Sequence, residues 1–374
     1  MEIDIIGAGI GGLTLAIALE QKGIKYRLYE EANEIKFVGA GIILANNAMQ
    51  VYEKLGLRDE IEKLGCRMQY MKITNPNLKI SSKLDLSYYE KKYNVKNIAI
   101  HRGELQKLLL KKIPKNKMYF KKELKSVLIK KPFVLNFSDS TQVKSKILIG
   151  ADGINSIVRN SIFPNSKIRK AKQVCWRGIT NIEIPRKFKN ELIEAWGGDE
   201  RFGFVEISKN KVYWYALKTI KNSINEHSKD ELDLYFNKFH PFVKSLIKAT
   251  SQIHTSEITD LKPMSRWSDT NFCLIGDAAH AMSPNMGQGA CQAIEDAYVL
   301  SECLNKYPIE DAFVKYQQLR IKKVNALVNL SWRTGKIAHI KNPLFIKIIS
   351  FLFRITPFSF HKIQLDKIFK LARV

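Results

Sequence analysis

The chain has 374 residues, of which 45% are hydrophobic and 26% charged, a composition typical of a globular protein. It excludes a disordered chain, a collagen-like chain and a small disulfide-stabilised protein, and the length suits roughly two to three domains. Lys and Arg outnumber Asp and Glu by 61 to 36, a net charge of +25, but the lysines are spread along the whole chain. This even spread predicts a solvated basic surface and no nucleic-acid site.

Five scattered cysteines without a CxxC pair favour free thiols in a reducing compartment. The first residues lack a basic stretch followed by an apolar one, so no signal peptide is predicted and a cytoplasmic location is expected. The most apolar segment, Leu344 to Phe360, is interrupted by Lys347 and Arg354 and predicts a core or lid helix. The alternative is an interfacial helix, so weak peripheral contact of the basic C-terminal helices with a membrane stays open.

The chain opens with the pattern of a strand, a helix and a second strand. Residues 2–6 are apolar and predict a buried strand, and Tyr26 to Glu30 predict the next strand. Between them lie a glycine turn, Gly7 to Gly12, and a segment of helical periodicity, Leu13 to Gln21. This βαβ order predicts a parallel sheet.

The glycine turn satisfies the spacing GxGxxG through Gly7, Gly9 and Gly12. The first glycine permits the tight turn, the second lets the backbone approach a pyrophosphate, and the third lets the helix pack closely on the strand. Glu30 lies 18 residues beyond Gly12, where a carboxylate accepts hydrogen bonds from ribose hydroxyls and repels a 2′-phosphate. These features predict a dinucleotide site that disfavours NADP, but they do not separate NAD from FAD.

The middle of the chain changes character. Residues 73–97 are polar and irregular and are predicted to leave the first domain, whereas residues 117–149 hold alternating strands. Residues 173–261 are rich in Trp, Phe and Tyr and predict an antiparallel sheet. The other predicted elements are helices at His101–Ile113, Gly289–Leu304 and Phe313–His339, a strand at Phe272–Ile275 and a helical basic tail.

Two aspartates follow apolar strands. Asp152 lies in the run GADGINSIVR (150–159) and Asp277 in the run GDAAH (276–280). Ligands bind at the carboxyl ends of strands in open α/β sheets, so both carboxylates are expected near a ligand. Asp277 is suited to accept hydrogen bonds from a ribityl chain, which FAD has and NAD lacks. The alternative role of each aspartate is to cap a helix or a turn.

The run SPNMGQGA (283–290) then places two glycines at a predicted helix start. Backbone N–H groups of Gly287, Gly289 and Ala290 are expected to face the edge of an isoalloxazine ring, where reduced flavin carries negative charge. With GxGxxG, DG and GD motifs in this order, the chain resembles the FAD-dependent aromatic monooxygenases of the p-hydroxybenzoate hydroxylase type. The run HRGELQ (101–106) resembles the family's Arg-bearing helix start.

The resemblance implies an α/β fold, with a Rossmann-like FAD-binding domain, an inserted antiparallel β-sheet substrate domain and C-terminal helices. The implied domains are 1–72, 98–172 and 262–330 for FAD binding, 73–97 and 173–261 for the substrate, and 331–374 for the C-terminal helices.

The resemblance also implies which residues hold non-covalent FAD. They are Gly7, Gly9, Gly12, Glu30, Arg102, Leu124, Asp152, Asp277, Gly287, Gly289 and Ala290. Arg102 is implied near the pyrophosphate and the ribityl chain, the backbone of Leu124 at the adenine, and Asp152 beside the pyrophosphate.

By the same resemblance, NADH or NADPH reduces FAD, and reduced flavin reacts with O2 to form a C4a-hydroperoxide that hydroxylates an electron-rich ring. The substrate is expected to be a small aromatic or polyketide-like molecule, and the enzyme a monomer or a homodimer. The alternatives are a flavin-dependent reductase or halogenase of the same superfamily, and a non-enzymatic basic binding protein. A WxWxIP run, typical of the halogenases, is absent, and seven dispersed His without HExxH give no support for a metal.

Aromatic residues at 196–215 are expected to form the substrate wall. A turn at Ser208 to Lys211 separates Arg201 from Tyr213, so a hairpin is expected to bring both to one face. Arg201 is expected to pair with an anionic oxygen and Tyr213 to hydrogen-bond a carbonyl, positions that resemble the polar pair of the urate-hydroxylating branch. The alternative is an ordinary strand arginine and a packed tyrosine. His280 is expected to pack against the cofactor loop and not to act as a base.

Overall fold

The structure, a computed structural model, describes residues 2–34, 40–220, 229–355 and 358–374. The strands are β1 (Glu2–Ile6), β2 (Lys25–Tyr29), β3 (Gly41–Leu44), β4 (Cys66–Arg67), β5 (Tyr70–Thr74), β6 (Ile80–Asp85), β7 (Ile98–His101), β8 (Met118–Tyr119), β9 (Leu124–Leu128), β10 (Phe133–Phe137), β11 (Gln142–Ser145), β12 (Leu148–Gly150), β13 (Ile168–Thr180), β14 (Glu191–Trp196), β15 (Glu200–Ser208), β16 (Lys211–Thr219), β17 (Ile253–Leu261) and β18 (Phe272–Leu274). The helices are α1 (Ile10–Gln21), α2 (Asn46–Lys54), α3 (Arg58–Leu64), α4 (Ser87–Tyr93), α5 (Arg102–Leu110), α6 (Ile157–Ile162), α7 (Lys229–Tyr235), α8 (Pro241–Lys248), α9 (Asp277–His280), α10 (Gly289–Lys306), α11 (Ile309–Ile337), α12 (Pro343–Ile355) and α13 (Phe358–Phe369).

A five-stranded parallel sheet has the order β18-β12-β1-β2-β8. Ile3 and Ile5 of β1 are fully buried, as expected for a parallel strand covered on both faces. The carboxyl ends of β1, β2, β12 and β18 meet at one edge of this sheet. The chain continues there into the glycine turn, Glu30, Asp152 and Asp277. The α/β class is confirmed, and the sheet gathers the predicted motifs at a single edge.

A seven-stranded sheet has the order β17-β13-β16-β15-β14-β5-β6 and is antiparallel except between β14 and β5. One face packs on α7 and α8 around a separate apolar core. The other face is turned toward the first domain, because a Cβ at Gly41 of β3 would lie 2.4 Å from Cγ of Tyr213 on β16. Two three-stranded sheets, β11-β10-β9 and β3-β7-β4, complete the described strands.

Residues 73–97 are more regular than the sequence indicated, since they hold the end of β5, all of β6 and α4. β6 is the edge strand of the seven-stranded sheet, and its polar, largely unburied residues hide the alternation that usually marks a strand. β5 begins at Tyr70 and β13 spans Ile168–Thr180, so both cross predicted domain boundaries. The exact division into domains stays a prediction.

The tail is helical, as predicted. α11 leads to α12, and α13 returns to the first domain, where the Tyr89 hydroxyl donates to the Lys362 carbonyl at 2.9 Å. The side-chain amide of Gln50 donates to the Phe369 carbonyl at 2.9 Å. Among the described residues, we find no helix with both the length and the apolar character that crossing a bilayer requires.

Candidate active site

The glycine turn is shaped by contacts that leave no space for side chains. Gly7 has a φ of +101°, and a Cβ at Gly12 would lie 2.0 Å from the Gly7 carbonyl oxygen. Neither position therefore accepts a larger residue without rearrangement. A Cβ at Gly9 would meet no atom within 4 Å, so this part of the backbone faces open space. The turn is packed tightly on its protein side and accessible on the other.

The start of α1 beside this turn is available to an anion. Gly9 precedes the helix and provides no side-chain cap, so N–H groups of the first turn remain free to donate. Glu30 is fixed next to the turn, because its Oε2 accepts from the Ala8 N–H at 2.8 Å and its Oε1 from the Ala32 N–H at 3.0 Å. Each carboxylate oxygen keeps a further lone pair, so Glu30 is positioned and still able to accept from a ribose.

Asp152 supports the cap of α6, whose N-cap residue is Ser156, and so takes the kind of role that the sequence offered as an alternative. Its Oδ1 accepts from the Ser156 hydroxyl at 2.5 Å, and its Oδ2 accepts from the Val158 N–H at 3.1 Å, at the start of α6. Its backbone also borders the glycine turn, since a Cβ at Gly7 would lie 3.0 Å from the Asp152 Cα. Contact between Asp152 and a pyrophosphate stays a prediction.

Leu124 lies near the far end of the same site. It opens β9 and is buried, and two residues earlier the Lys122 N–H donates to the Glu30 carbonyl at 2.8 Å. The backbone of residues 122–124 therefore lies beside Glu30, on the side where the adenosine of FAD is predicted.

Asp277 and Arg102 lie close enough for their charges to interact. We call the region bordered by Asp277, Arg102, Gly289 and Tyr213 the cleft. Asp277 follows Gly276, whose φ is +58°, and its side chain is exposed, as is Arg102 at the start of α5. Desolvation by the cleft walls raises the pKa of Asp277, and the charges of His280 and Arg102 oppose that rise. The interaction between the two charges shows that the structure brings these predicted residues together.

The start of α10 forms the wall next to Asp277. Gly287 has a φ of +60°, and a Cβ there would meet no atom within 4 Å. α10 begins at Gly289 without a side-chain cap, and a Cβ at Gly289 would lie 3.9 Å from Asp277 Oδ1. Half-buried Ala290 packs on the main core. These backbone donors border the cleft in the arrangement predicted for a flavin edge.

A buried ionic network holds this segment, and the sequence analysis did not find it. Asp296 on α10 accepts from the Gly276 N–H at 3.0 Å and from Arg320 Nε at 2.7 Å, and it pairs with His280 at 2.5 Å. Arg320 also pairs with Glu295, and all these side chains are fully buried. Burial alone would raise the pKa of Asp296, but the charges of His280 and Arg320 hold it well below its usual range.

The sequence does carry a signal for this network. Asp296 is three and four residues from Ala293 and Leu300, so it lies on the apolar stripe of a helix where an unpaired charge is costly. His280, held by Asp296, also packs on Trp267 with ring centroids 5.4 Å apart. It is therefore enclosed and not presented as a base.

Arg159 ties the two aspartate motifs together. Its Nη1 donates to the Ala278 carbonyl at 3.3 Å and its Nη2 to the Ile154 carbonyl at 2.7 Å. The DG motif thus supports the segment that carries Asp277.

Arg201 and Tyr213 lie on the same face of the β15–β16 hairpin, because Arg201 is opposite Leu217 and Tyr213 opposite Val205 in the strand register. Tyr213 is 9% exposed and its ring packs on Gly41. Burial raises the pKa of Tyr213, so its hydroxyl stays neutral and able to donate.

Arg201 already has protein partners. Its Nε and Nη2 donate to Glu194 Oε1 at 3.0 and 2.7 Å, and its Nη1 donates to Asn285 Oδ1 at 2.7 Å. The Tyr215 hydroxyl donates to the other oxygen of Glu194. Burial alone raises the pKa of Glu194, but Arg201 and Tyr215 hold it below its usual range, so the carboxylate neutralises the guanidinium. Pairing of Arg201 with a substrate anion stays a prediction.

The predicted aromatic wall needs correction. Phe202, Phe204 and Trp214 lie on the opposite face of the seven-stranded sheet, in the core formed with α7 and α8. Side chains alternate between faces along a strand, so a dense aromatic run divides between two sides. Of residues 196–215, the aromatic side chains on the cleft side are Trp196, Tyr213 and Tyr215.

The arrangement fits FAD. An open glycine turn with free N–H groups suits a pyrophosphate, Glu30 suits a ribose, and Asp277 beside a bare helix start suits a ribityl chain and a flavin edge. In the part of the chain that the structure describes, no three His, Cys, Asp or Glu side chains are placed to hold a metal ion.

Comparison with known proteins agrees with this fit. The family described as FAD binding domain matches residues 1–313. Aurachin C monooxygenase/isomerase of Stigmatella aurantiaca is 33% identical over 91% of this chain and 91% of that protein. The 2-heptyl-3-hydroxy-4(1H)-quinolone synthase of Pseudomonas aeruginosa is 28% identical over 96% of this chain and 94% of that protein.

Among solved structures, Klebsiella pneumoniae HpxO complexed with FAD and uric acid matches with a TM-score of 0.90 and 26% identity, covering 98% of this chain and 96% of that one. The predicted resemblance is confirmed, and the non-enzymatic alternative is set aside. The chain belongs to the FAD-dependent aromatic monooxygenases of the p-hydroxybenzoate hydroxylase type.

Proposed function

We propose that this enzyme uses NADH or NADPH and O2 to hydroxylate a neutral, nitrogen-containing aromatic ring of the quinolone class. The observation that carries this proposal is the ion pair in which Arg201 Nη2 donates to Glu194 Oε1 at 2.7 Å, because Glu194 neutralises the charge that would otherwise bind a substrate anion. The reaction balances with one oxygen atom entering a ring C–H bond and the other leaving as water. NAD(P)H supplies the two electrons and is oxidised to NAD(P)+.

On this proposal, different predicted residues bind different parts of FAD. Glu30 and the glycine turn hold the adenosine and pyrophosphate, and Asp277 and Arg102 hold the ribityl chain. Bound FAD supplies the activation of O2. The backbone at the start of α10 stabilises negative charge at the flavin edge, since its N–H groups and helix dipole face the cleft.

The sheet face binds the ring and excludes water. The Tyr213 hydroxyl is neutral and donates to a ring carbonyl, which orients the carbon to be hydroxylated. Because Glu194 neutralises Arg201, the pairing of Arg201 with a substrate anion is disfavoured. A neutral ring also agrees with the 4(1H)-quinolone in the name of one relative.

The test compares one quinolone ring with and without a carboxylate. We expect the neutral compound to stimulate NAD(P)H oxidation and to yield a hydroxylated product, and the carboxylate to do so weakly. Glu194→Gln leaves Arg201 without its counter-charge, so this variant is expected to gain affinity for the carboxylate. A wild-type preference for the carboxylate would contradict the substrate class. NAD(P)H-dependent reduction of the ring without oxygen insertion would favour the reductase alternative.

We also propose weak contact of α12 with an anionic lipid bilayer. Five large apolar side chains are exposed on one side of this helix at helical spacing: Leu344, Phe345, Ile348, Phe351 and Leu352. The net charge of +25 complements an anionic surface.

Sedimentation with phosphatidylglycerol vesicles tests this contact. We expect retention that falls with salt and is lost in Phe351→Ser, whereas Val314→Ser, at an exposed position of α11, keeps it. Equal recovery in the supernatant with and without vesicles would refute the contact.

A further inference from the structure

A cavity of about 210 Å³ opens where the β5–β6 hairpin, the end of β14 and the helices α11 and α12 meet. Its lining has no charged side chain, and Thr74, Asn75 and Ser81 are its polar members. The apolar walls are contributed chiefly by Ile73, Pro76, Trp196, Ile337, Ile346 and Ile349. Cavities of about 150 Å³ with aliphatic and aromatic walls bind benzene, so this one is large enough for several carbon atoms.

The cavity adjoins the polar wall of the active site. Trp196 lines it, and the Trp196 indole N–H donates to Glu194 Oε1, the same oxygen that binds Arg201. The Arg201 guanidinium carbon lies 5.6 Å from the centre of the Trp196 ring. Trp196 and Arg201 are opposite each other in the strand register and share the face that carries Tyr213. One indole therefore separates the polar wall from the apolar cavity.

α12 closes the cavity with one side and exposes the other. Ile346 and Ile349 are half-buried and face the cavity, whereas Ile348 between them is 44% exposed. Ile346 approaches the β14–β15 turn, since a Cβ at Gly198 would lie 3.8 Å from its Cδ1. Gly198 has a φ of +95°, so this turn keeps a glycine and leaves space beside the helix.

We propose that this cavity is a subsite for an apolar chain of the substrate, a linear alkyl group at position 2 of the 4(1H)-quinolone ring. The proposal rests on the proposed function, because it takes the ring to lie at Tyr213. A cavity without charges and adjoining the ring site gives a hydrocarbon chain an apolar environment, and each methylene it buries raises affinity about fourfold. Chain length thereby becomes a determinant of specificity that the cofactor loops do not provide.

The test is a series of 4(1H)-quinolones with alkyl chains from methyl to nonyl, bound to the FAD-loaded enzyme and measured by calorimetry. We expect the dissociation constant to fall about fourfold per methylene until the cavity is filled, and then to level off. Ile349→Trp fills the cavity from α12, so it is expected to abolish the dependence on chain length and to leave binding of the methyl compound unchanged. Ile348→Trp, the same change at the exposed neighbour, is expected to keep the wild-type series.

A second variant that fills the cavity from another wall shows whether the effect of Ile349→Trp comes from a local disturbance of α12. Ser81→Phe enlarges a residue on the opposite wall and is expected to flatten the series in the same way. A flat wild-type series with the ring still hydroxylated overturns the subsite and leaves the proposed function intact. Equal loss of methyl and nonyl binding in both filling variants also overturns it. Failure of every quinolone to bind and to be hydroxylated overturns both proposals.

Discussion

The two sides of the cleft are built in different ways. The cofactor side consists of short loops at the carboxyl ends of parallel strands, and each loop is specified by neighbouring residues such as Gly7 to Gly12. The opposite side is assembled from β14, β15, β16 and α11, where Arg201 meets Glu194 and Asn285 from other segments. The cofactor side depends on a few glycines and carboxylates in short segments, whereas the sheet side depends on every side chain that the sheet directs toward the cleft. Specificity is therefore expected to reside on the sheet side.

Loss of Arg320 from the buried ionic network behind the cofactor loops is expected to lower stability strongly. Arg320→Met leaves Glu295 and Asp296 buried without their main counter-charge and is expected to lower the free energy of unfolding by about 3–5 kcal/mol. Urea unfolding measures this. Lys322→Met, at an exposed neighbouring position on α11, is the matched control and is expected to change stability by less than about 0.5 kcal/mol. Similar stability of both variants would show that the network is not structural.

Loss of Glu30 is expected to act on cofactor affinity. Glu30→Ala removes an ionised acceptor worth about 1.5–3 kcal/mol, so the FAD dissociation constant should rise about 10- to 150-fold in a fluorescence titration of the apoprotein. Glu30→Gln keeps one acceptor oxygen and should lose less. Glu31→Ala, at the adjacent exposed glutamate, should bind FAD like the wild type. If Glu30→Ala bound FAD with wild-type affinity, Glu30 would have no role in binding the cofactor.

His339, on the sheet side, is expected to make the free energy of unfolding depend on pH. Burial, with the Arg201 charge, lowers the pKa of His339 from 6.5 to about 4, and its Nδ1 contacts Thr219 and the Asp199 carbonyl. Between these pH values the unfolded chain binds the proton and the folded one does not. His339 therefore costs stability as the pH falls below about 6.5, on the order of 2 kcal/mol by pH 5, and contributes no such cost at pH 7.

His339→Gln is expected to remove that part of the acid destabilisation in unfolding curves recorded from pH 7 to pH 5. His254→Gln, at an exposed histidine of β17, serves as the control. Parallel pH profiles for wild type and His339→Gln would contradict the assignment.

The smallest expected effect separates substrate binding from cofactor binding. Tyr213→Phe keeps the ring on Gly41 but loses one neutral hydrogen bond, worth about 0.5–1.5 kcal/mol. FAD content should be unchanged, substrate affinity should fall about 2- to 10-fold, and less product should form per NAD(P)H. Tyr88→Phe, at an exposed position of α4, should alter none of these quantities. Loss of FAD from Tyr213→Phe would contradict this prediction, because the hydroxyl would then contribute to cofactor binding.

The difference between the two sides also explains what could be predicted from the sequence. The positions of the glycine turn, Glu30 and Asp277 at one edge of the sheet could be predicted, because each depends on local spacing after a strand. Their contacts with FAD stay predictions. The aromatic wall was misjudged because a run of aromatic residues does not reveal which strand face meets the cleft, and Trp214 lies on the far one. The partners of Arg201 and Asp296 come from distant segments, and only the tertiary fold shows that these charges are neutralised.

Turnover with oxygen gas that carries a heavy isotope is the decisive test of the proposed hydroxylation. Purified enzyme loaded with FAD is supplied with NADH or NADPH and a 2-alkyl-4(1H)-quinolone, a ring that also occurs in the name of one relative. The product is analysed by mass spectrometry. We expect one labelled oxygen atom in the ring for each NAD(P)H consumed in coupled turnover, with the second atom in water. NAD(P)H oxidation that yields hydrogen peroxide and no labelled product with any aromatic ring would contradict it.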